Sequence, residues 1–376
     1  NVSFKLLRGE HVGLVGANGE GKSTFLNIVT GHVLPDEGKV EWPGKVTVGY
    51  LDQQSTLEKG MTIREVLRTA FDGMYAMEQQ MLELYDKMGD ASPEELDKMM
   101  NTVGEIQSEL EHSGFYSLDS KIEEFANGLG LGSIGLDKDV SELSGGQRSK
   151  VLLTKLLLQN SQILLLDEPL GALDLKLRKD MQTELRKIQQ ALELTFVYVT
   201  HDQTEALTMS TKIALFKAGE LNQVATPAEL YNNPIDLEAA DFIGNPRINL
   251  LDGKAEVING QLVVKSDLGG HTFPAEHLTS EEFPKSGEFD CVLAIRPEQI
   301  IISTEPVEGA IPVTIYANQP AGSETITTLK AGTDEFLAKD IGQIRYDLDQ
   351  KVWAIIDQDK INIYNKETTR LIKRAV

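Results

Sequence analysis

The sequence predicts an α/β domain followed by a smaller all-β domain. In the first part of the chain, short apolar runs alternate with segments of helical spacing, which is typical of a parallel sheet covered by helices. Beyond Gly244 the segments become short, β-branched and bounded by turns, as in a barrel or sandwich. A length of 376 residues also suits two domains better than one. We therefore expect one domain at residues 1–240 and another at residues 246–376.

Strands and helices alternate in the first domain. Each predicted strand is a short apolar run beside a turn, and each predicted helix repeats apolar residues every three or four positions. In chain order, the predicted elements are strand Val12 to Val15, a helix opening at Lys22, strand Val46 to Leu51, helix Gly146 to Gln159, strand Ile163 to Asp167, helix Leu175 to Leu192 and strand Thr195 to Thr200.

An acidic helical segment interrupts this alternation. From Thr62 to Glu111, Met, Leu and Ile recur among Glu, Gln and Lys at helical spacing, so we expect a helical subdomain over about residues 55–150. Ser92 and Glu95 predict a helix start with a capping box. Ser55 to Val140 holds 18 acidic and 7 basic residues, half of the chain's net charge of −22, which is typical of a solvated helical face.

The second domain is predicted from short apolar segments separated by turns. Their β-branched composition favours strands of a small all-β domain. The predicted strands are Val292 to Ile295, Gln299 to Ile302, Ile311 to Tyr316, Thr325 to Leu329, Val352 to Ile356 and Ile361 to Tyr364.

The bulk composition excludes several classes of protein. A net charge of −22 repels phosphate backbones, so no direct DNA binding is expected. No run of about 18 uncharged apolar residues is present, so no membrane-spanning segment is predicted. The single cysteine, Cys291, suits a reducing compartment. We expect a cytoplasmic protein.

A phosphate-binding loop is predicted at residues 16–23. Their sequence, GANGEGKS, matches the pattern G-x-x-x-x-G-K-[ST] between an apolar strand and a helix, which is the context of a P-loop. Glycines let backbone N–H groups surround phosphates, Lys22 adds a charge, and the Ser23 hydroxyl can bind Mg²⁺. ATP and Mg²⁺ are therefore the expected cofactors. The predicted nucleotide-binding residues are Gly16, Asn18, Gly19, Gly21, Lys22, Ser23 and Thr24.

A second phosphate-related motif ends the strand at residues 163–168, with the sequence ILLLDE. The apolar run delivers Asp167 to the carboxyl end of a strand, where α/β sheets bind their ligands. Asp167 is the predicted Mg²⁺ ligand, and Glu168 is placed to polarise the attacking water. Beside the P-loop, this pattern predicts a nucleotide hydrolase of the P-loop class.

The segment LSGGQ at residues 143–147 indicates the class of hydrolase. By itself it is a glycine-rich turn before a helix, but together with the other two motifs in this order it resembles the signature of ABC ATPases. The resemblance implies an ABC nucleotide-binding domain that closes as a homodimer or with a paired ABC ATPase subunit. In that arrangement the signature of one subunit covers the ATP held by the other, through Ser144, Gly145, Gly146 and Gln147.

Three further positions match motifs of the same family. Gln53 matches the glutamine loop that senses Mg²⁺, with Gln54 as the alternative. Asp174, in Ala172-Leu-Asp174, matches the loop that crosses the dimer interface. His201 follows a predicted strand and matches the histidine that contacts the γ-phosphate, although a lone histidine at a strand end is usually a polar surface residue. The resemblance implies that Glu168, His201 and Gln53 are catalytic, and that Ser23, Gln53 and Asp167 bind Mg²⁺.

Different parts of the chain resemble two different branches of the ABC family. Residues 1–168, with GLVGANGEGKST and LSGGQRSKVLLTKLLL, resemble the ribosome-acting ABC-F ATPases. From Leu170 onward, phrases such as FVYVTHDQTEALTMS resemble ATPase subunits of carbohydrate, glycerol-phosphate and polyamine importers, and the all-β part resembles their OB-like TOBE domain. The change falls within LLLDEP, which both branches share. A chimera or an unusual natural lineage would both explain it.

Two departures from the family pattern affect what the resemblance implies. The chain begins in the strand before the P-loop, so we expect the family's first strands and the aromatic that stacks on adenine to be missing, with weak adenine affinity. The region after Gln53 also lacks the importer-type sequence that receives a transporter's coupling helices.

The resemblance implies the ATPase subunit of an ABC importer, with carbohydrate as the expected cargo. Such a subunit would be peripheral to the inner face of the cell membrane and would contact membrane permease subunits. The alternatives are an ABC-F type ATPase that binds ribosomes, or a non-physiological fusion with no partner.

Overall fold

A computed structural model describes residues 2–44, 46–52, 55–89, 91–171, 173–279 and 287–376. Contacts within the chain divide it into two compact units, residues 2–201 and residues 202–376. Within the described ranges, no helix is both long enough and apolar enough to cross a bilayer.

The first unit alternates strands with helices, as the sequence predicts. The observed helix at residues 175–192 and the strand at residues 163–167 have the predicted bounds. The elements of this unit are β1 (His11–Val15), α1 (Lys22–Val29), β2 (Val48–Leu51), α2 (Ile63–Arg68), α3 (Asp72–Met88), α4 (Pro93–His112), α5 (Leu118–Gly128), α6 (Gly145–Leu158), β3 (Ile163–Asp167), α7 (Leu175–Leu192) and β4 (Thr195–Val199).

Four strands of this unit form a parallel arrangement in the order β2-β3-β4-β1. The apolar runs of β1, β3 and β4 are buried, as expected for a parallel sheet. Leu51 lies opposite Leu166, and both Asp167 and Leu14 lie opposite Val199. The carboxyl ends of all four strands therefore meet at one edge, which is where sheets of this class bind ligands.

The helical subdomain has its own apolar core. Ile63, Leu67, Leu110 and Ile122 from α2, α4 and α5 are fully buried there. The predicted capping box at the start of α4 is confirmed, because the carboxylate of Glu95 accepts from the backbone N–H of Ser92 at 3.0 Å. Helices in this segment thus form where local caps and apolar spacing agree.

The second unit is mainly β-structure. Its elements are α8 (Gln203–Met209), β5 (Lys212–Lys217), β6 (Glu220–Ala225), α9 (Pro227–Asn232), α10 (Leu237–Phe242), β7 (Asn249–Ile258), β8 (Gln261–Ser266), β9 (Gly269–Phe273), β10 (Glu288–Ile295), β11 (Ile300–Ser303), β12 (Ile311–Pro320), β13 (Glu324–Ala331), β14 (Asp334–Ile341), β15 (Lys351–Ile356), β16 (Asn362–Asn365) and β17 (Leu371–Lys373).

Two sheets in this unit share one apolar core. Their strand orders are β17-β16-β10-β7-β8-β9 and β11-β15-β12-β13-β14. Leu293 of the first sheet and Leu329 of the second are fully buried in the same cluster. The predicted α/β domain followed by a small all-β domain is confirmed, and the all-β part is consistent with a TOBE or OB-like domain. Each of the six strands predicted after residue 246 is found, whereas β7, β8, β9, β14 and β17 were not predicted.

Candidate functional site

The P-loop turns from β1 into α1 through glycines with left-handed backbone. Gly19 and Gly21 both have φ of 87°, a conformation that side chains with a Cβ rarely adopt. Helix α1 begins at Lys22, and Phe25 donates its N–H to the carbonyl oxygen of Gly21 at 2.8 Å. The loop therefore presents backbone N–H groups and a helix N-terminus at the carboxyl end of β1, which suits phosphate. This turn contains Gly16, Asn18, Gly19 and Gly21, and the first three residues of α1 are Lys22, Ser23 and Thr24.

Lys22 is a buried cation inside this loop. Its Nζ donates to the carbonyl oxygens of Gly16 at 2.9 Å and Ala17 at 2.8 Å, and the residue is only 6% exposed. Burial lowers the pKa of Lys22, and the nearby carboxylates of Glu168, Glu20 and Asp167 oppose that shift. A positive charge held inside this loop, near three carboxylates, is suited to bind the terminal phosphates of a nucleotide.

Asp167 ends β3 beside the P-loop. It is 3% exposed, and burial raises its pKa while a hydrogen bond from the Ser23 hydroxyl opposes that shift. Its Oδ1 atom is buried and has no hydrogen-bond partner among the described residues. A buried carboxylate oxygen of this kind, next to a serine hydroxyl, fits the oxygen ligands that Mg²⁺ prefers. The structure therefore brings together Ser23 and Asp167, two of the three residues predicted to bind Mg²⁺.

Glu168 follows directly and has an unusual backbone. Its φ is +47°, in the left-handed region, and its N–H donates to the carbonyl oxygen of Val199 at 3.1 Å. Its Oε1 atom lies 3.2 Å from Nδ1 of His201, just beyond β4. Such strain in a non-glycine residue occurs where the surrounding structure holds a side chain in place, often at functional sites. Glu168 and His201 thus lie together at the edge that carries Lys22 and Asp167.

The signature residues lie at the start of α6 and make local contacts. Ser144 caps this helix, because its Oγ accepts from the N–H of Gln147 at 3.3 Å while the Gln147 side chain accepts from the N–H of Ser144 at 3.0 Å. Gly145 is the first residue of the helix. A Cβ on Gly146 would lie 2.8 Å from the Leu177 side chain, so α6 and α7 pack closely.

Asp174 has a capping role in this structure. Its carboxylate accepts from the N–H of Leu177 at 2.9 Å and thereby caps α7. The structure thus brings the P-loop, Asp167, Glu168 and His201 together, while the recorded hydrogen bonds of Ser144, Gln147 and Asp174 are those of helix caps. Gln53, its alternative Gln54, and Ala172 lie outside the described residues.

One acidic residue at this edge was missed by the sequence interpretation. Asp52 directly follows β2, and its charge contributes to the raised pKa of Asp167. The sequence did contain a signal for Asp52. The strand predicted to end at Leu51 is followed directly by this acidic residue, and the strand of the ILLLDE run likewise ends in an acidic residue, Asp167. The sequence could not show that these two strands are neighbours.

A protein-family model described as "ABC transporter" matches residues 1–171 of the chain. Among curated proteins, an uncharacterised ABC transporter ATP-binding protein, YfmM of Bacillus subtilis, is 58% identical over 203 residues. That match covers 54% of this chain and 38% of the Bacillus protein, so the chain spans well under half of that relative's length.

Two other relatives match over most of their length. The trehalose/maltose import ATP-binding protein MalK of Thermococcus litoralis is 31% identical over 381 residues, covering 99% of this chain and 94% of the relative. The spermidine/putrescine import ATP-binding protein PotA of Rubrobacter xylanophilus is 33% identical over 335 residues, covering 88% and 79%. These matches agree with the P-loop and with the residues gathered at the sheet edge. The chain therefore belongs to the ABC transporter family, as one of its ATP-binding ATPases.

Proposed function

We propose that this chain is the ATP-hydrolysing subunit of an ABC importer, with carbohydrate as its cargo. The names of its relatives support an importer, and they include both sugar and polyamine transport. In this proposal residues 1–240 form the ATPase domain and residues 246–376 a TOBE-like regulatory domain. The protein would lie in the cytoplasm against the inner face of the membrane, where it would bind permease subunits.

The observation that carries this proposal is the pairing of Glu168 with His201 at 3.2 Å, beside the buried Lys22. Lys22 and the P-loop amides would hold the terminal phosphates of ATP. Ser23 and Asp167, with Gln53, would hold Mg²⁺, which supplies charge neutralisation at those phosphates.

The residues at the sheet edge would then have distinct roles in hydrolysis. Glu168 would orient the attacking water and accept its proton, while His201 would hold the Glu168 carboxylate and contact the γ-phosphate. Phosphoryl transfer needs mainly positioning and charge stabilisation, and residues of these types can supply both.

Two copies of the ATPase domain would close head to tail around two ATP molecules. The start of α6 carries Ser144, whose backbone and neighbouring amides form a helix N-terminus, and such ends favour anions. In the proposed dimer this end of one copy, together with Asp174, faces the P-loop of the other.

Mixing two inactive variants tests this arrangement. Lys22→Ala removes the phosphate-binding charge, and Ser144→Arg blocks the signature. In a head-to-tail dimer, a mixed pair keeps one intact site built from the unchanged P-loop of one chain and the unchanged signature of the other. Equal mixing should therefore restore about a quarter of wild-type ATP hydrolysis. Unmixed variants are the controls, and no recovery despite mixed dimers in solution contradicts the proposal.

The importer role has a separate test. Affinity purification of the chain from detergent-solubilised membranes of its native cell should recover a multi-span membrane protein, identified by mass spectrometry. Recovery should increase when the Glu168→Gln chain is used with ATP. Sedimentation with ribosomes in place of membrane recovery would contradict the importer and favour the ABC-F alternative.

A further inference from the structure

The strand register places a second carboxylate next to Asp167. Strands β2 and β3 pair in parallel, with Tyr50 opposite Leu165 and Leu51 opposite Leu166. Asp52 follows Leu51 directly and Asp167 follows Leu166 directly, so continuing this register by one residue sets the two carboxylates side by side, and the charge of Asp52 does act on Asp167. Neighbours in register on adjacent parallel strands project their side chains from the same face of a sheet. Asp52 thus leaves the sheet at the same edge, and on the same face, as the carboxylate that contacts Ser23.

The two carboxylates differ in their surroundings. Asp52 is exposed, whereas Asp167 is buried and has an Oδ1 atom without a hydrogen-bond partner in the described part of the chain. Glu168 adds a third carboxylate, and the ammonium group of Lys22 already donates to two loop carbonyls. Negative charge at this edge is therefore concentrated around a buried oxygen atom that has no recorded hydrogen-bond partner among the described residues.

We propose that Asp52 belongs to the Mg²⁺ site, where it binds the metal through a water molecule and makes ATP binding dependent on Mg²⁺. The inference rests on the proposed function, because it assumes that ATP and Mg²⁺ bind at this edge. An exposed carboxylate at the rim suits contact through water, since Mg²⁺ keeps several of its waters when protein binds it.

The physical reason lies in the charge of the nucleotide. ATP without metal brings several negative charges to an edge that already carries Asp52, Asp167 and Glu168, so the two repel each other. With Mg²⁺ bound, the same carboxylates attract the metal ion, and the repulsion from the phosphates is reduced. Asp52 therefore both weakens binding of metal-free ATP and strengthens binding of Mg²⁺-ATP, which is a coupling free energy between the two ligands.

Calorimetry on the full chain measures this coupling. The dissociation constant of a non-hydrolysable ATP analogue is determined with Mg²⁺ and with EDTA, for the wild type and for Asp52→Asn. The dissociation constant in EDTA divided by the dissociation constant with Mg²⁺ should fall about five- to tenfold in the variant. Binding of Mn²⁺ to the chain with the same analogue, followed by electron paramagnetic resonance, should weaken in parallel.

Two further variants complete the test. Asp52→Glu keeps the charge and should retain the wild-type ratio, and its thermal unfolding shows whether changes at this position disturb folding. Asp86→Asn, an exposed carboxylate on α3, is the matched control and should leave the ratio unchanged. An unchanged ratio in Asp52→Asn, while the wild type binds Mg²⁺-nucleotide, overturns the role of Asp52 and leaves the proposed function standing. Failure of the wild type to bind nucleotide at all overturns both.

Discussion

Nδ1 of His201 lies 3.2 Å from Oε1 of Glu168, although the two residues follow different strands of the sheet. Strands β3 and β4 are direct neighbours, and Asp167 lies opposite Val199. The left-handed backbone of Glu168, with its N–H bonded to Val199, turns its carboxylate toward the end of β4. This contact joins the residue proposed to orient water with the residue proposed to contact the γ-phosphate.

Replacing Glu168 with glutamine should abolish hydrolysis and preserve ATP binding. Glutamine has the same shape but cannot accept a proton from water, so the rate should fall about a hundredfold or more. Phosphate release measures the rate. Light scattering should then show that the variant with Mg²⁺-ATP accumulates as a dimer.

Glu193 provides a matched control for this substitution. It is also a glutamate with left-handed backbone, at φ of 50°, and it ends α7 away from the strand edge. Glu193→Gln makes the same chemical change in the same backbone conformation and should leave hydrolysis unchanged. Wild-type turnover by the Glu168→Gln chain would contradict the role assigned to Glu168.

Replacing His201 with alanine should slow hydrolysis while leaving protein stability almost unchanged. The side chain of His201 is about half exposed, so its loss removes little packing. Glu168 would lose a contact that holds its carboxylate, and hydrolysis should fall about tenfold or more. Steady-state kinetics measures the loss of hydrolysis, and thermal unfolding shows whether stability has changed. A large loss of stability with normal turnover would mean that His201 is only a structural residue.

Ser144 should prove to have two separable roles. As the cap of α6 it contributes about 1 kcal/mol, which Ser144→Ala should remove from the free energy of unfolding. The same substitution should also weaken ATP-driven dimerisation, since it alters the end of α6 proposed to face the nucleotide of the partner copy. Denaturant unfolding and light scattering measure the two effects.

Ser92→Ala separates these effects, because Ser92 forms the same capping box at the start of α4. It should cost a similar free energy and leave ATP-driven dimerisation intact. If both alanine variants dimerise equally well with ATP, Ser144 is a helix cap without a role in nucleotide binding.

His11 should make the first unit sensitive to acid. It is 1% exposed, with edge-on contacts to the rings of Phe196 and Tyr198, and burial, followed by the charge of Arg186, lowers its pKa to about 4. The ordinary pKa of histidine, which applies where the ring is exposed in the unfolded chain, is 6.5. The stability that comes from keeping His11 neutral is thus fully present above pH 6.5 and is lost as the pH falls to 4.

Denaturant unfolding at a series of pH values checks this prediction. Between pH 6.5 and pH 4 the wild type should lose about 3 kcal/mol more than His11→Phe, whose ring cannot be protonated. Parallel curves for the two proteins over this range would show that His11 is not responsible for acid sensitivity.

Arg296 should be important for the stability of the second unit. It is 4% exposed, its guanidinium donates to the carbonyl oxygens of Tyr231 at 2.7 Å and of Ile243, and it lies 4.2 Å from the centre of the Tyr231 ring. Arg296→Lys keeps the charge but cannot reach these partners together, so it should cost about 2–4 kcal/mol.

Arg247→Lys is the matched control for Arg296. Arg247 is exposed and forms a surface ion pair with Asp241 at 3.3 Å, so the change should cost less than about 1 kcal/mol. Chemical denaturation measures both variants. Equal losses of stability would contradict the importance assigned to the buried guanidinium.

Local signals explain which predictions were confirmed. The capping box of Ser92 and Glu95 and the bounds of α7 depend on residues a few positions apart, so they could be found along the chain. Strand β7 was missed because its inward-facing residues include the polar Asn249. That side chain is buried because it exchanges hydrogen bonds with the backbone of Leu337, at 2.7 and 2.8 Å, across 88 positions of sequence.

The sequence by itself determined the class of this protein, because the P-loop, the LSGGQ segment and the ILLLDE run are short motifs that follow one another in the order found in ABC ATPases. Only the tertiary structure decided which strand ends are neighbours. It thereby brought Asp52 beside Asp167, more than a hundred residues away, and turned Glu168 toward His201. The physical reason is that strand register and backbone strain depend on the packing of the whole sheet, which no short stretch of sequence records.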